Sequence, residues 1–281
     1  MRKGMLDVAL VEQNPDLVLY GMLAALASAG TLLIVATKFG LPVSTTHSIV
    51  GAIVGFGAAG LGPDAVAWGK VLQIIASWVT SPLIGAVLAF LIFNLVRAQV
   101  LDRDEPIQRL QRLGPFFFFY VFFIIGLVTL FKGLKKLDLD LELPQAMVGS
   151  AAFGVLGALI GVVVIRWALK HAGTATEDDH FRHVERVFVV LQIMTACAVA
   201  FAHGSNDVAN SIGPLAAVHS IVTTGAAAKS SAVEPWMLAL GGFGIVIGLA
   251  TWGYRVMETI GKRITELTPS RGFAAELAAA T

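Results

Sequence analysis

Ala146-Met147-Val148-Gly149-Ser150-Ala151-Ala152-Phe153-Gly154-Val155-Leu156-Gly157-Ala158-Leu159-Ile160-Gly161-Val162-Val163-Val164-Ile165 contains a single hydroxyl and no charge. A helix rises about 1.5 Å per residue, so about 20 residues cross a hydrocarbon core of about 30 Å. The surface helix of a soluble bundle shows a polar stripe at helical period, and this run shows none. It falls in one of eight charge-free windows, at residues 18–37, 39–63, 71–96, 113–131, 143–165, 187–206, 208–228 and 235–254. Each is roughly 19–26 residues long, and backbone amides left unpaired in lipid are too costly for any simple alternative to helix. The pattern predicts an all-α polytopic membrane protein, multi-pass in the cell (inner) membrane.

Composition agrees. Of 281 residues, 56% are hydrophobic and 14% charged, with a mean hydropathy of +0.78. An ordinary soluble domain carries about 25% charge and about 45–50% apolar residues. A soluble globule, a disordered chain and a disulfide scaffold are excluded; Cys197 is the single cysteine. With 20 basic against 19 acidic residues the formal charge is +1, which gives no footprint for nucleic acid. Residues 1–16 are polar and mixed in charge, so no cleavable signal peptide is expected, and the first apolar window stays in the membrane. His171, His180 and His183 fall in a polar linker without compact metal-ligand spacing, and a solvated loop is expected there.

Two windows are interrupted by polar clusters. The first is Gly40-Leu41-Pro42-Val43-Ser44-Thr45-Thr46-His47. Gly40 and Pro42 should end the preceding helix near Lys38, and Ser44 or Thr45 can cap a new one. A helix start inside a membrane gathers N–H groups of positive partial charge, and three consecutive hydroxyls beside it make an anion cradle. The competing reading is that these hydroxyls only bond back to a carbonyl one turn earlier.

The second cluster is His203-Gly204-Ser205-Asn206-Asp207-Val208-Ala209-Asn210, followed by Gly213-Pro214. Asp207 is the sole charge between Arg186 and Lys229. A carboxylate there costs about 2.5–3.5 kcal/mol on insertion scales, so it should face a protein interior or a wet cavity. Asn206, Asp207 and Asn210 share a helical edge. Gly204 is expected to let the chain turn, with Ser205 or Asn206 capping the helix that follows.

Paired broken helices point to a secondary transporter with its site near the midplane. The apolar windows hold hydroxyl and amide donors and one carboxylate, but no Lys or Arg. An anionic substrate would therefore be repelled by Asp207 unless a cation bound with it. A Na+ or H+ at Asp207 resolves the conflict and makes cation–anion coupling obligatory. Nothing in the pattern supports catalysis: Ser44 or Thr45 beside His47 lacks a third group to orient a base, so the protein is not expected to be an enzyme.

At these two clusters, extended through Ser48-Ile49-Val50-Gly51-Ala52 and from Phe201-Ala202 to Ser211-Ile212-Gly213-Pro214-Leu215, the sequence resembles the inorganic phosphate transporter (PiT) family of cation-coupled phosphate symporters. The likeness extends to the tail Ile264-Thr265-Glu266-Leu267-Thr268-Pro269-Ser270-Arg271-Gly272-Phe273. It implies an inverted-repeat transporter fold with broken or re-entrant helices and phosphate at the repeat interface. By position, Ser44, Thr45, Thr46 and Asn206 would bind phosphate. Asp207 would hold Na+ or carry the proton, supported by Asn210, with His47, His203 and Ser205 close behind. No cofactor is expected beyond the co-transported H+ or Na+. The expected partners are inorganic phosphate, that cation, the bilayer and a second copy in a homo-oligomer, and nucleic acid is not among them.

Members of the family carry each motif twice, whereas each occurs once here. Residues 1–112 then correspond to the second half of the first repeat. Residues 113–185 are connecting transmembrane helices and a polar loop, and residues 186–281 are the first half of the second repeat. The first Asn-Asp motif would precede Met1 and the second Ser-Thr-Thr-His motif would follow Thr281. This pattern predicts a truncated product that transports poorly or not at all by itself. The alternatives are a channel, a carrier for another oxyanion such as sulfate or arsenate, or a non-transporting remnant.

Overall fold

The structure, a computed structural model, describes residues 4–130, 143–170, 177–227, 231–264 and 268–281. Its helices are α1 (Val8–Gln13), α2 (Pro15–Lys38), α3 (Thr45–Phe56), α4 (Trp68–Val96), α5 (Pro106–Val128), α6 (Leu143–Ala168), α7 (Glu177–Thr224), α8 (Pro235–Gly248), α9 (Tyr254–Glu258) and α10 (Pro269–Ala280). Prolines stand at the first turn of α2, α5, α8 and α10, where a missing N–H costs nothing and φ is already helical.

Among the described residues, six helices are long and apolar enough to cross a membrane: Pro15–Lys38, Trp68–Leu101, Pro106–Leu127, Leu143–Ala168, Arg182–Thr224 and Pro235–Gly261. Thr45–Leu61 is a shorter apolar helix. Large side chains such as Phe90, Leu159, Trp167 and Phe243 face outward, as a lipid solvent requires. The protein is a multi-pass helical membrane protein, and the chain assembles into two compact units.

One unit comprises Met1–Val79 and His203–Glu266. Its core gathers Val18 and Met22 of α2, Ile49 and Ile53 of α3, and Ala217 and Ile221 of α7. The ring of Phe56 fills the space a side chain at Gly21 would need, which lets α2 and α3 approach closely. An isolated antiparallel bridge pairs Leu6 with Val66.

The other unit comprises Thr80–Ala202 and Leu267–Thr281. Here α6 presents Gly154, Gly157 and Gly161 to Phe119, Phe122 and Phe118 of α5. A Cβ on Gly161 would lie 2.7 Å from the Phe118 ring, so small residues are needed for this contact. Phe273 of α10 sits between Phe117 and Phe188, with centroids 6.0 and 5.7 Å away. Two carboxylates hold α10 against α7. Glu185 accepts the Ser270 amide at 3.0 Å and its hydroxyl at 2.7 Å, and Glu276 accepts the Thr195 hydroxyl at 2.6 Å. Burial pushes the Glu276 carboxyl above its ordinary value, opposed by the Thr195 donor.

Two expectations are corrected. The first concerns residues 203–210, which do not break a helix: α7 continues through them, with Pro214 inside it. A glycine costs about 1 kcal/mol in a helix, less than the carbonyls a break would leave unpaired in lipid, so neither Gly204 nor a cap at Ser205 or Asn206 ends the segment. The second concerns the histidines. His180 and His183 lie in α7 and not in a loop, because Val184, Val187, Phe188 and Leu191 recur at helical period and are fully buried. His171 lies outside the described residues. The last helix, α10, starts at Pro269 with Thr268 as its cap, accepting from the Arg271 amide at 3.4 Å. Ser270 is inside that helix and bonds Glu185. Residues 265–267 of the tail lie outside the described residues.

Candidate anion and cation site

The first cluster does break the chain. Gly40 adopts φ +69, a conformation open to glycine, and ends α2. Ser44 then caps α3, its Oγ accepting the His47 amide at 3.2 Å. Thr45 and Thr46 are the first residues of α3. Their amides have no helical carbonyl one turn back, so the helix start retains unspent donors.

The hydroxyls of Thr45 and Thr46 do not follow the reading in which they bond back along their own helix. Thr31, Ser48, Ser150, Thr223 and Thr251 all return their hydroxyls to a carbonyl one turn earlier. Thr45 and Thr46 do not, because Leu41 and Pro42 precede the helix. Thr45 Oγ1 donates instead to Asp207 Oδ1 at 2.6 Å, across to α7. Thr46 Oγ1 accepts Nδ2 of Asn210 at 2.9 Å and of Asn206 at 3.3 Å.

The two oxygens of Asp207 sit in different surroundings. Oδ1 takes Thr45 at 2.6 Å, Asn210 Nδ2 at 3.3 Å and Asn206 Nδ2 at 3.5 Å. Oδ2 faces His203 Nε2 at 3.3 Å, one turn back on α7. The Asp207 side chain is 17% exposed, whereas His203 is largely open. Asn210 is 3% exposed and also reaches Thr45 at 3.3 Å. Behind it lies a mostly apolar cavity of about 350 Å³, lined by residues that include Met22, Ile49, Ile53 and Ala217.

Thr45, Thr46, Asn206, Asp207 and Asn210 therefore converge, with Ser44 at the cap and His203 on the open side. His47 turns elsewhere: its ring stacks on Trp78 of α4, centroids 3.7 Å apart. Ser205 is exposed on α7. Sequence reasoning missed Trp78, since an aromatic in an apolar window gives no signal of its own. It also missed Arg255, which ends the last apolar window.

The cluster offers hydroxyl and amide donors for an oxyanion, and one carboxylate oxygen, Oδ2, that carries few donors and is suited to a cation or a proton. The model of the phosphate transporter family matches residues 1–281. The chain belongs to that family. It is 43% identical over 281 residues to a Pyrococcus horikoshii protein named as a phosphate permease, covering 100% of this chain and 67% of that one. It is 42% identical over 306 residues to the chloroplastic inorganic phosphate transporter 2-1 of Arabidopsis thaliana, covering 100% of this chain and 51% of the relative. A solved sodium-dependent phosphate transporter superposes with a TM-score of 0.87 at 36% identity, over 99% of this chain and 66% of that one. The family member described here thus spans about two thirds of the permease and of the solved transporter, and about half of the plant protein.

Proposed function

We propose that this chain carries part of the machinery that moves inorganic phosphate across the membrane together with a cation, Na+ or H+, each motif of the family occurring once in it. Ser44, Thr46, Asn206 and the first amides of α3 bind the anion, and Oδ2 of Asp207 takes the cation. The observation that carries this is the Thr45–Asp207 bond of 2.6 Å, which sets the carboxylate beside the hydroxyl cradle at a helix start. A phosphate charge about 4 Å from an ionised Asp207 is repelled by roughly 4 kcal/mol at an effective dielectric of about 20. A cation at the carboxylate offsets that cost, so each ion binds well only in the company of the other. Names carried by the relatives support phosphate as the anion, and the name of the solved transporter favours sodium as its partner. The division into repeats at residues 1–112, 113–185 and 186–281 belongs to the same proposal.

The test is uptake of radiolabelled phosphate into proteoliposomes with an imposed Na+ or H+ gradient. Saturable accumulation that an ionophore abolishes is expected of a chain that carries both copies of each motif, with little or none from these 281 residues alone. Flux that only equilibrates, indifferent to the ionophore, would identify a passive channel and overturn the coupling.

A further inference from the structure

The turn that delivers the cradle is held by a single guanidinium. At the end of α2, Leu41 N–H donates to the Ala36 carbonyl at 2.9 Å and Gly40 N–H to that of Thr37 at 3.0 Å, the double bond of a Schellman cap. Phe39 N–H reaches the Val35 carbonyl at 3.3 Å. The carbonyl of Lys38 follows in the last turn, and it accepts Nη1 of Arg255 at 2.6 Å. A cation here meets the negative end of the helix dipole through a charge-assisted bond, the stronger kind.

The backbone carrying Arg255 also approaches the turn. A Cβ on Gly40 would lie 3.0 Å from Thr259 Oγ1 and 3.3 Å from the Arg255 carbonyl oxygen. Those two groups are joined, the Thr259 hydroxyl donating to the Arg255 carbonyl at 3.0 Å. Nε of Arg255 donates to the Tyr254 hydroxyl at 3.1 Å, so the guanidinium is oriented before it reaches Lys38. π-Helical turns at Leu249–Gly253 and Thr259–Ile264 flank α9. Such turns alter side-chain register and recur at functional sites.

We propose that Arg255, backed by Thr259, is a positioning residue for the anion cradle: it fixes the end of α2 and the Gly40 turn, and thereby the start of α3. Only Leu41, Pro42 and Val43 lie between Gly40 and the Ser44 cap, and Pro42 has a locked φ. A shift of the turn therefore passes to Thr45 and Thr46, whose bonds to α7 tolerate displacements of only about 0.5 Å. Arg255 itself does not touch the anion; it acts through the turn. The inference rests on the phosphate reading for its affinity measurement alone.

The test combines amide hydrogen exchange in detergent micelles with phosphate KM and Vmax, for the protein and its Arg255→Ala, Arg255→Lys, Gly40→Ala and Arg255→Ala/Gly40→Ala variants. Arg255→Ala should speed exchange across residues 39–48 and raise KM about tenfold, with Vmax moving much less. Arg255→Lys keeps the charge and should recover most of both. Gly40→Ala should reproduce the defect, and the double variant should be no worse than either single one. Additive defects, exchange altered only within residues 249–264, or a loosened turn with unchanged KM would each overturn the proposal. Absence of saturable phosphate uptake by a chain that carries both copies of each motif would refute the phosphate reading, while exchange across residues 39–48 would still decide whether Arg255 holds the turn.

Discussion

Asp207 bonds Thr45, Asn206 and Asn210 through one oxygen and faces His203 with the other. Oδ1 thus ties α7 to α3, and Oδ2 is left for the proposed cation. Thr45→Val removes the shortest of the Oδ1 bonds at nearly constant volume. A partly buried carboxylate oxygen left short of a donor costs about 1–3 kcal/mol, so phosphate KM should rise roughly tenfold to a hundredfold, while Thr45→Ser should stay near the parent. An unchanged KM in Thr45→Val would remove Thr45 from the site. Asp207→Asn keeps the shape and discards the charge that calls for a cation. Coupled uptake should be lost, and unchanged dependence on external Na+ or H+ would count against the carboxylate as cation site. Much of this was legible in advance, because a lone acid among apolar residues and three successive hydroxyls after Gly-Leu-Pro both need a polar purpose. The inward turn of Asn210 and the stacking of His47 on Trp78 were not, since spacing along a chain does not say which neighbouring helix a side chain meets.

Among the elements, the two polar clusters look alike in sequence and fold differently. Gly40 takes a positive φ, Pro42 disfavours a return to the helix, and the turn finds a Schellman cap and an Arg255 clamp to satisfy its carbonyls. Gly204 stays within the helix, and α7 runs through it and on through Pro214. The docking of α10 was equally hidden, because its ties to α7, Glu185–Ser270 and Thr195–Glu276, join residues far apart in the chain. Glu276 yields a prediction with a definite sign. Burial raises its folded pKa above the unfolded one, so the folded state binds the proton more tightly. Stability is then fullest below the unfolded value and falls as pH climbs through the interval up to the folded value. Glu276→Gln keeps an acceptor for Thr195 and has no charge to bury. It should unfold at a higher temperature than the parent at neutral pH and lack this part of the pH slope, as thermal unfolding in detergent from about pH 4 to about pH 8 would show. A slope identical to the parent's would place the pH dependence elsewhere.

At the scale of the whole molecule, selectivity follows from where charge is missing. The formal balance is +1 over 281 residues, yet the charge-free windows and the cluster between them hold no Lys or Arg, and the carboxylate of Asp207 lies beside the proposed anion cradle. Under the proposed coupling, each negative charge that enters is matched by a cation that accompanies it. Sulfate is a dianion at neutral pH and carries no proton, so it adds two charges beside Asp207 and offers that carboxylate no donor. Phosphate exists partly as the monoanion, which adds a single charge and keeps a hydroxyl that can donate. Arsenate shares that chemistry and geometry. In proteoliposomes, arsenate should therefore compete with phosphate at comparable concentrations, while sulfate in about tenfold excess should leave phosphate uptake nearly unchanged. Sulfate competing as well as arsenate would mean that the cradle reads tetrahedral shape alone, and the carboxylate would lose its place beside the anion.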